Sequence, residues 1–144
     1  MQGKPIREVI AGRSVRTATQ SDIEPCNAIC KAVHGHDRSG ELKDSIKQGS
    51  AKVVLHSDKI TGYTTGLAYF NHSVGLTNDD LKALICSSTD DDNSYGGAGI
   101  LILTRNTQLF HWCLDGLRLV QQLILMTIGL YNEPSGPYMP SILY

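Results

Sequence analysis

The sequence predicts an α+β domain built on a mixed, mostly antiparallel sheet of six to seven strands, with helices on both faces. Three observations point there. A β-branched run, AKVVLHS (51–57), turns straight back into ITGYTTGLAYF (60–70), which is a hairpin pattern. Capped segments with helical spacing stand before and after it instead of alternating regularly with strands. ILILT (100–104), and VQQLILMTIGLY (120–131) with its long apolar run, fit strands buried in the sheet.

In chain order, residues 1–13 carry charges without a continuous apolar stretch, so they are no secretory leader and stay unassigned. SVRTA (14–18) is a short strand. TQSDIEPCNAICKAVHG follows as a helix, with Ser21 as N-cap and Pro25 in its first turn. SGELKDSIKQG is a second, more exposed helix that ends at Gly49. The hairpin turns at Asp58-Lys59. The stretch NHSVGLTNDD (71–80) is then a loop running into the helix NDDLKALICSS. Polar, glycine-rich STDDDNSYGGAG (88–99) is the most mobile loop expected. After ILILT, RNTQLFHWCLDGLRL is a helix capped by Asn106 and closing near Gly116. NEPSGP turns into YMPSILY, a last strand whose Pro140 suits an edge. The order is β-α-α-β-β-α-β-α-β-β in one domain, 14–144.

A chain of 144 residues with 41% apolar and 19% charged content supports a single soluble core. A formal net charge of −1 argues against nucleic-acid binding, which needs a basic stripe. No apolar run reaches the roughly 18 residues of a membrane span. The four cysteines (26, 30, 86 and 113) lack zinc-site spacing and are expected as small core residues in a reducing, cytoplasmic compartment.

The element order resembles the GNAT superfamily of N-acetyltransferases over residues 14–144. VRTATQSDIEPCNAICKAV is similar to the family's opening "IRxAxxxDxxxxxxL" strand and helix, and RNTQLFHWCLDGLRL to its "NxxAxxLYxxxGF" helix. The closing segment, LMTIGLYNEPSGPYMPSILY, is similar to the carboxy-terminal half of tandem GNAT proteins. The resemblance implies transfer of an acetyl group from acetyl-CoA to a small amine. It places CoA binding at the loop after the fourth strand, here Val74, Gly75, Leu76, Thr77 and Asn78, together with Asn106. Of the family's Q/R-x-x-G-x-G/A loop only Gly75 is matched.

Three features of that loop oppose an anion. Thr77 and Asp80 have capping-box spacing, and Asp79 and Asp80 stand at the helix start, where they complete the helix and repel a diphosphate. GGAG (96–99) precedes a strand and offers no helix start. The family's proton-donating Tyr position falls on Trp112, which leaves Cys113 as the substitute, with His111 on the other side. His72 is the one group near the fourth strand able to act as general base, unless it is a plain loop histidine.

The segment HGHDRSGE supplies His34, His36, Asp37, Arg38 and Glu41 between the first two helices, where relatives admit the acceptor. These side chains are either ligand contacts or a solvated, self-capped loop, and their spacing gives no metal site. An EF-hand reading of DDDNSYGGAGIL fails at Tyr95 and Leu101. Two functions follow: an acetyltransferase with atypical groups, or a GNAT-fold module that binds without catalysis. Apolar YMPSILY near a sheet edge predicts a homodimer.

Overall fold

The computed structural model describes residues 1–3, 6–88 and 99–142. The expected 88–99 loop, the GGAG stretch and the rejected EF-hand therefore fall largely outside the described residues. Among the described residues, α-helices and strands follow in order. They are β1 (Gln2–Gly3), β2 (Ser14–Thr17), α1 (Ile23–His34), α2 (Ser39–Gln48), β3 (Lys52–His56), β4 (Lys59–Thr64), β5 (Ser73–Gly75), α3 (Asn78–Cys86), α4 (Thr107–Leu114), β6 (Leu117–Arg118) and β7 (Tyr138–Met139). Five strands form one sheet in the order β2-β3-β4-β5-β7, and β1 pairs with β6 in a second, small sheet. Each of these pairings is antiparallel.

The hairpin is as the sequence requires, with its turn one residue earlier than expected. Ser57 and Asp58 both have positive φ (49° and 61°), the geometry that matches a two-residue loop to strand twist. Neighbouring Val53 and Val54 point to opposite faces and divide the interior into two cores. Val53, Tyr63 and Val74 pack under Cys26, Ile29, Cys30 and Val33 of α1 and Leu42 of α2. Val54 packs under Leu81, Leu84 and Ile85 of α3 and Leu109 and Cys113 of α4. Helices thus cover both faces, and each fully buried Leu or Ile contributes about 1.5–3 kcal/mol.

The start of α1 differs from expectation. A 3₁₀ turn at Gln20–Asp22 precedes it, and the capping box joins Thr19 to Asp22 instead of using Ser21. Asp22 accepts from the Thr19 N–H (2.7 Å) and from both terminal nitrogens of Arg16 (2.7 and 2.8 Å). The Arg16 guanidinium holds the Asp22 carboxyl well below the usual carboxylate range. Gly35 (φ 78°) and Gly49 (φ 75°) close α1 and α2 in the left-handed conformation.

Four strand expectations are corrected. β4 stops at Thr64, so 65–70 is not strand, while Ser73–Gly75, expected as loop, forms the fourth strand of the sheet. The run 100–104 forms no strand. The backbone of Ile100 is taken by Met1 instead: its N–H donates to Met1 O (3.0 Å), and its carbonyl accepts from the Met1 ammonium (2.6 Å). The lead is therefore ordered at residues 1–3. The run 120–131, expected at the centre of the sheet, also forms no strand, and Ile124 and Met126 are 82% and 84% exposed. β7 occupies the free side of β5, pairing Tyr138 with Val74 and Met139 with Ser73. The sheet ends there, at the edge position expected for the last strand.

Candidate functional site

β5 runs directly into α3 through Gly75, Leu76 and Thr77. A Cβ on Gly75 would lie 2.8 Å from the Asp80 Cβ, so glycine lets the first turn of α3 fold back against the strand. Thr77 and Asp80 form the predicted capping box. The Asp80 N–H reaches Thr77 Oγ1 (3.4 Å), while the Thr77 N–H donates to Asp80 Oδ2 (2.8 Å). The other Asp80 oxygen accepts from Arg13 Nε and from Thr61 Oγ1, both at 2.7 Å. Asp80 is fully buried. This corrects half of the charge argument. Asp80 points into the protein with a guanidinium on it and does not face an incoming anion. Asp79 stays at the surface, 3.2 Å from Lys82 Nζ.

The starts of α3 and α4 are tied to each other. Asn106 Nδ2 donates to Asn78 Oδ1 (2.8 Å) and Asn78 Nδ2 donates to Asn106 Oδ1 (3.1 Å). Asn106 Oδ1 also accepts from the Leu109 N–H (3.3 Å), which is the predicted cap. In front of this clasp lies a cavity of about 400 Å³, whose lining includes Leu76, Thr77, Asn78, Asn106, Arg105 and Tyr138. Four of the six expected cofactor residues are thereby brought together. Val74 is buried in the core beneath α1, and Gly75 sits in the strand; neither lines the cavity.

Arg105 and Tyr138 were not foreseen. The only signal for Arg105 was its place directly before the Asn106 cap. Its guanidinium pairs with Glu133 and lies 5.7 Å from the Tyr138 ring. A second, largely apolar cavity of about 590 Å³ shares Leu103, Arg105 and Tyr138 with the first.

The expected base is sealed. His72 is fully buried, and its Nε2 lies 2.9 Å from His34 Nε2 at the end of α1. Burial pushes the His34 imidazolium down to about pKa 4 and that of His72 well below the usual histidine range, with Arg38 adding to both. Two neutral rings satisfy that contact, one Nε2–H donating to the other Nε2. Neither Nδ1 has a hydrogen-bond partner. The pair therefore fills a polar gap in the core and gives no base that solvent or substrate can reach. Tyr138 packs edge-on against His34, with ring centroids 4.8 Å apart.

The remaining 34–41 residues are occupied with one another. Asp37 accepts from the Ser39 N–H (2.8 Å) and Asn27 Nδ2 (2.6 Å), which hold its carboxyl well below the usual range. Arg38 donates to Glu41 (2.7 and 2.9 Å), whose other oxygen accepts from Thr65 Oγ1 (3.2 Å). His36 is exposed, with Nδ1 3.1 Å from the His34 carbonyl. None of His34, His36, Asp37, Arg38 and Glu41 lines either cavity.

Cys113 is buried beneath α4, and burial pushes its thiol up to about 12. Trp112 donates its indole N–H to Glu8 (2.8 Å). All four cysteines are free, and three are buried. Among the described residues no three His, Cys, Asp or Glu side chains are placed to hold a metal ion, and no helix is long and apolar enough to cross a membrane.

No protein-family model matches the chain, and no curated protein matches it. Among solved structures, a GNAT-family acetyltransferase from Bacillus cereus is similar to it at 28% identity, with a TM-score of 0.35. The similarity covers 36% of this chain and 37% of that one, little more than a third of each.

Proposed function

We propose that this chain is a GNAT-like binding module that holds acetyl-CoA, or a CoA-type ligand, at the joined starts of α3 and α4, without side-chain catalysis of acetyl transfer. The observation that carries this reading is convergence. Two helix N-termini and Arg105 meet on one cavity of about 400 Å³, with the Asp80 charge turned inward and paired. The Thr77, Asp80 and Leu109 N–H groups are taken by the caps, so the helix starts contribute their dipoles and the guanidinium supplies the direct grip on a phosphate. The Arg105–Glu133 pair is at the surface, where such pairs are worth about 0–1 kcal/mol, so exchanging Glu133 for a phosphate costs little. His72 and Cys113, the groups that would move protons, lie in the core and favour their neutral forms.

Calorimetric titration with acetyl-CoA tests the binding half. Saturable binding is expected, weakened about tenfold by Arg105→Ala and weaker again as salt rises. Absence of binding at millimolar ligand would remove the reading. A thiol-release assay with acetyl-CoA and a panel of small amines tests the other half. Release should not exceed that in buffer. Release that is lost in Cys113→Ser or His72→Asn would make the protein an acetyltransferase.

A further inference from the structure

Among the described residues a long apolar stretch is largely exposed, although Leu119, Leu123, Ile124, Leu125 and Tyr131 of it also line the apolar cavity of about 590 Å³. From Leu119 to Tyr131 nine large apolar side chains are at least 40% exposed, and Ile128 and Leu130 are wholly so. Scattered exposed leucines are ordinary; a contiguous run of this kind marks an interaction site. The segment belongs to no helix or strand among the described residues, so its backbone is also free to pair.

We propose that 119–131 is the interface with a second copy of this chain, the two segments running antiparallel about a two-fold axis. Two observations select this occupant. The segment contains no charged residue, yet Arg118 precedes it and Glu133 follows one residue after it. Antiparallel self-association brings Arg118 of each copy to Glu133 of the other, where it would share that carboxylate with Arg105, whereas a parallel arrangement would set like charges together. The second observation is area. A stable interface takes about 800 Å² from each partner, and nine such side chains, each at least 40% exposed, present an area of that order. The centre of the pairing falls between Leu125 and Met126, which sets Ile124 of one copy near Thr127 of the other. The expected contact is thus this segment and not the YMPSILY edge, where Tyr138 and Met139 are already buried by β5.

Sedimentation equilibrium between 1 and 100 μM tests this. The wild-type chain should be a dimer at the upper end. The double substitution Ile124→Lys/Met126→Lys should give a monomer with unchanged circular dichroism and the melting temperature that the wild-type chain shows when diluted to monomer, because both side chains are largely in solvent in one copy. Arg118→Glu should weaken the dimer by about tenfold at low salt. A wild-type monomer at 100 μM, a lysine variant that still dimerises, or open assemblies beyond the dimer would each overturn the proposal.

Discussion

Compared with residues 14–88, residues 99–142 are more apolar, yet their apolar runs end up less paired. In the first region every strand finds a neighbour: β2, β3, β4 and β5 pair in chain order, and buried polar groups such as Asp80 and Thr64 are matched by partners. In the second, the two most apolar runs of the chain pair with nothing in the sheet. Apolarity nominates a strand, but a ladder also needs a free edge. β7 takes the side of β5 and Met1 takes the backbone of Ile100, so neither run pairs there, and the sheet keeps β2 and β7 as its edges. The contrast teaches that strand pairing in the amino-terminal region follows chain order, while the carboxy-terminal region adds β7 and α4 to that framework and leaves its longest apolar run exposed.

The largest test of that contrast is the buried ion pair between Arg13 and Asp80, whose side chains are 11% and 0% exposed. Asp80→Ala leaves the Arg13 charge without its partner and takes acceptors from Thr61 and Thr77. The expected loss in urea unfolding is about 3–5 kcal/mol. Ile124→Ala, in the exposed run, should cost the monomer no more than about 0.5 kcal/mol. Comparable losses for the two would mean that 119–131 is packed in solution and that the two regions are alike.

Acid gives the next largest effect. The folded pKa values of His34 and His72 lie below the ordinary histidine value, so the unfolded chain binds more protons as pH falls. Stability should be full above about pH 6.5 and decline from there toward pH 4 as His34 and His72 are forced to charge. For His34 the loss is on the order of 3 kcal/mol, at about 1.4 kcal/mol for each pH unit. Depressed carboxylates such as Asp22 add losses only below about pH 4. Melting temperatures from pH 8 to 4 should show the upper decline in the wild type and not in His34→Gln/His72→Gln. A flat wild-type profile between pH 6.5 and 4.5 would show that the pair is hydrated and not core.

The sequence disclosed the hairpin, four helices, the caps at Thr77 and Asn106 and the coverage of both faces, because each of these is written in local chemistry. Thr77–Asp80 and Asn106–Leu109 are contacts three residues apart. It did not disclose β5, since Ser73–Gly75 is too short and too mixed to show period two, and its strand character comes from β4 and β7 on either side. The inward turn of Asp80 depended on Arg13, 67 residues away. His34 and His72, 38 residues apart, were each recognised as chemically notable and assigned separate roles. That their Nε2 atoms meet in the core is a tertiary fact, which no spacing rule encodes. Of the site, the polar wall at Asn78 and Asn106 was legible, and Arg105 with Tyr138 was not.

The smallest effect lies where the two regions meet. Asn78 belongs to the closed region and Asn106 to the open one, and their side-chain amides exchange two hydrogen bonds across the starts of α3 and α4. Asn106→Ala should cost about 1–2 kcal/mol, because it removes both the clasp and the α4 cap. Asn78→Ala should cost less, since α3 keeps its own Thr77 cap. If the clasp couples the regions, the double variant should be less destabilised than the sum of the singles by about 0.5–1 kcal/mol. The same cycle should be larger with acetyl-CoA bound, because the proposed ligand sits on both helix starts at once. Additive losses with and without ligand would mean that α3 and α4 are held in place by the Leu84–Leu109 core alone, and that the cavity wall is a by-product of that packing.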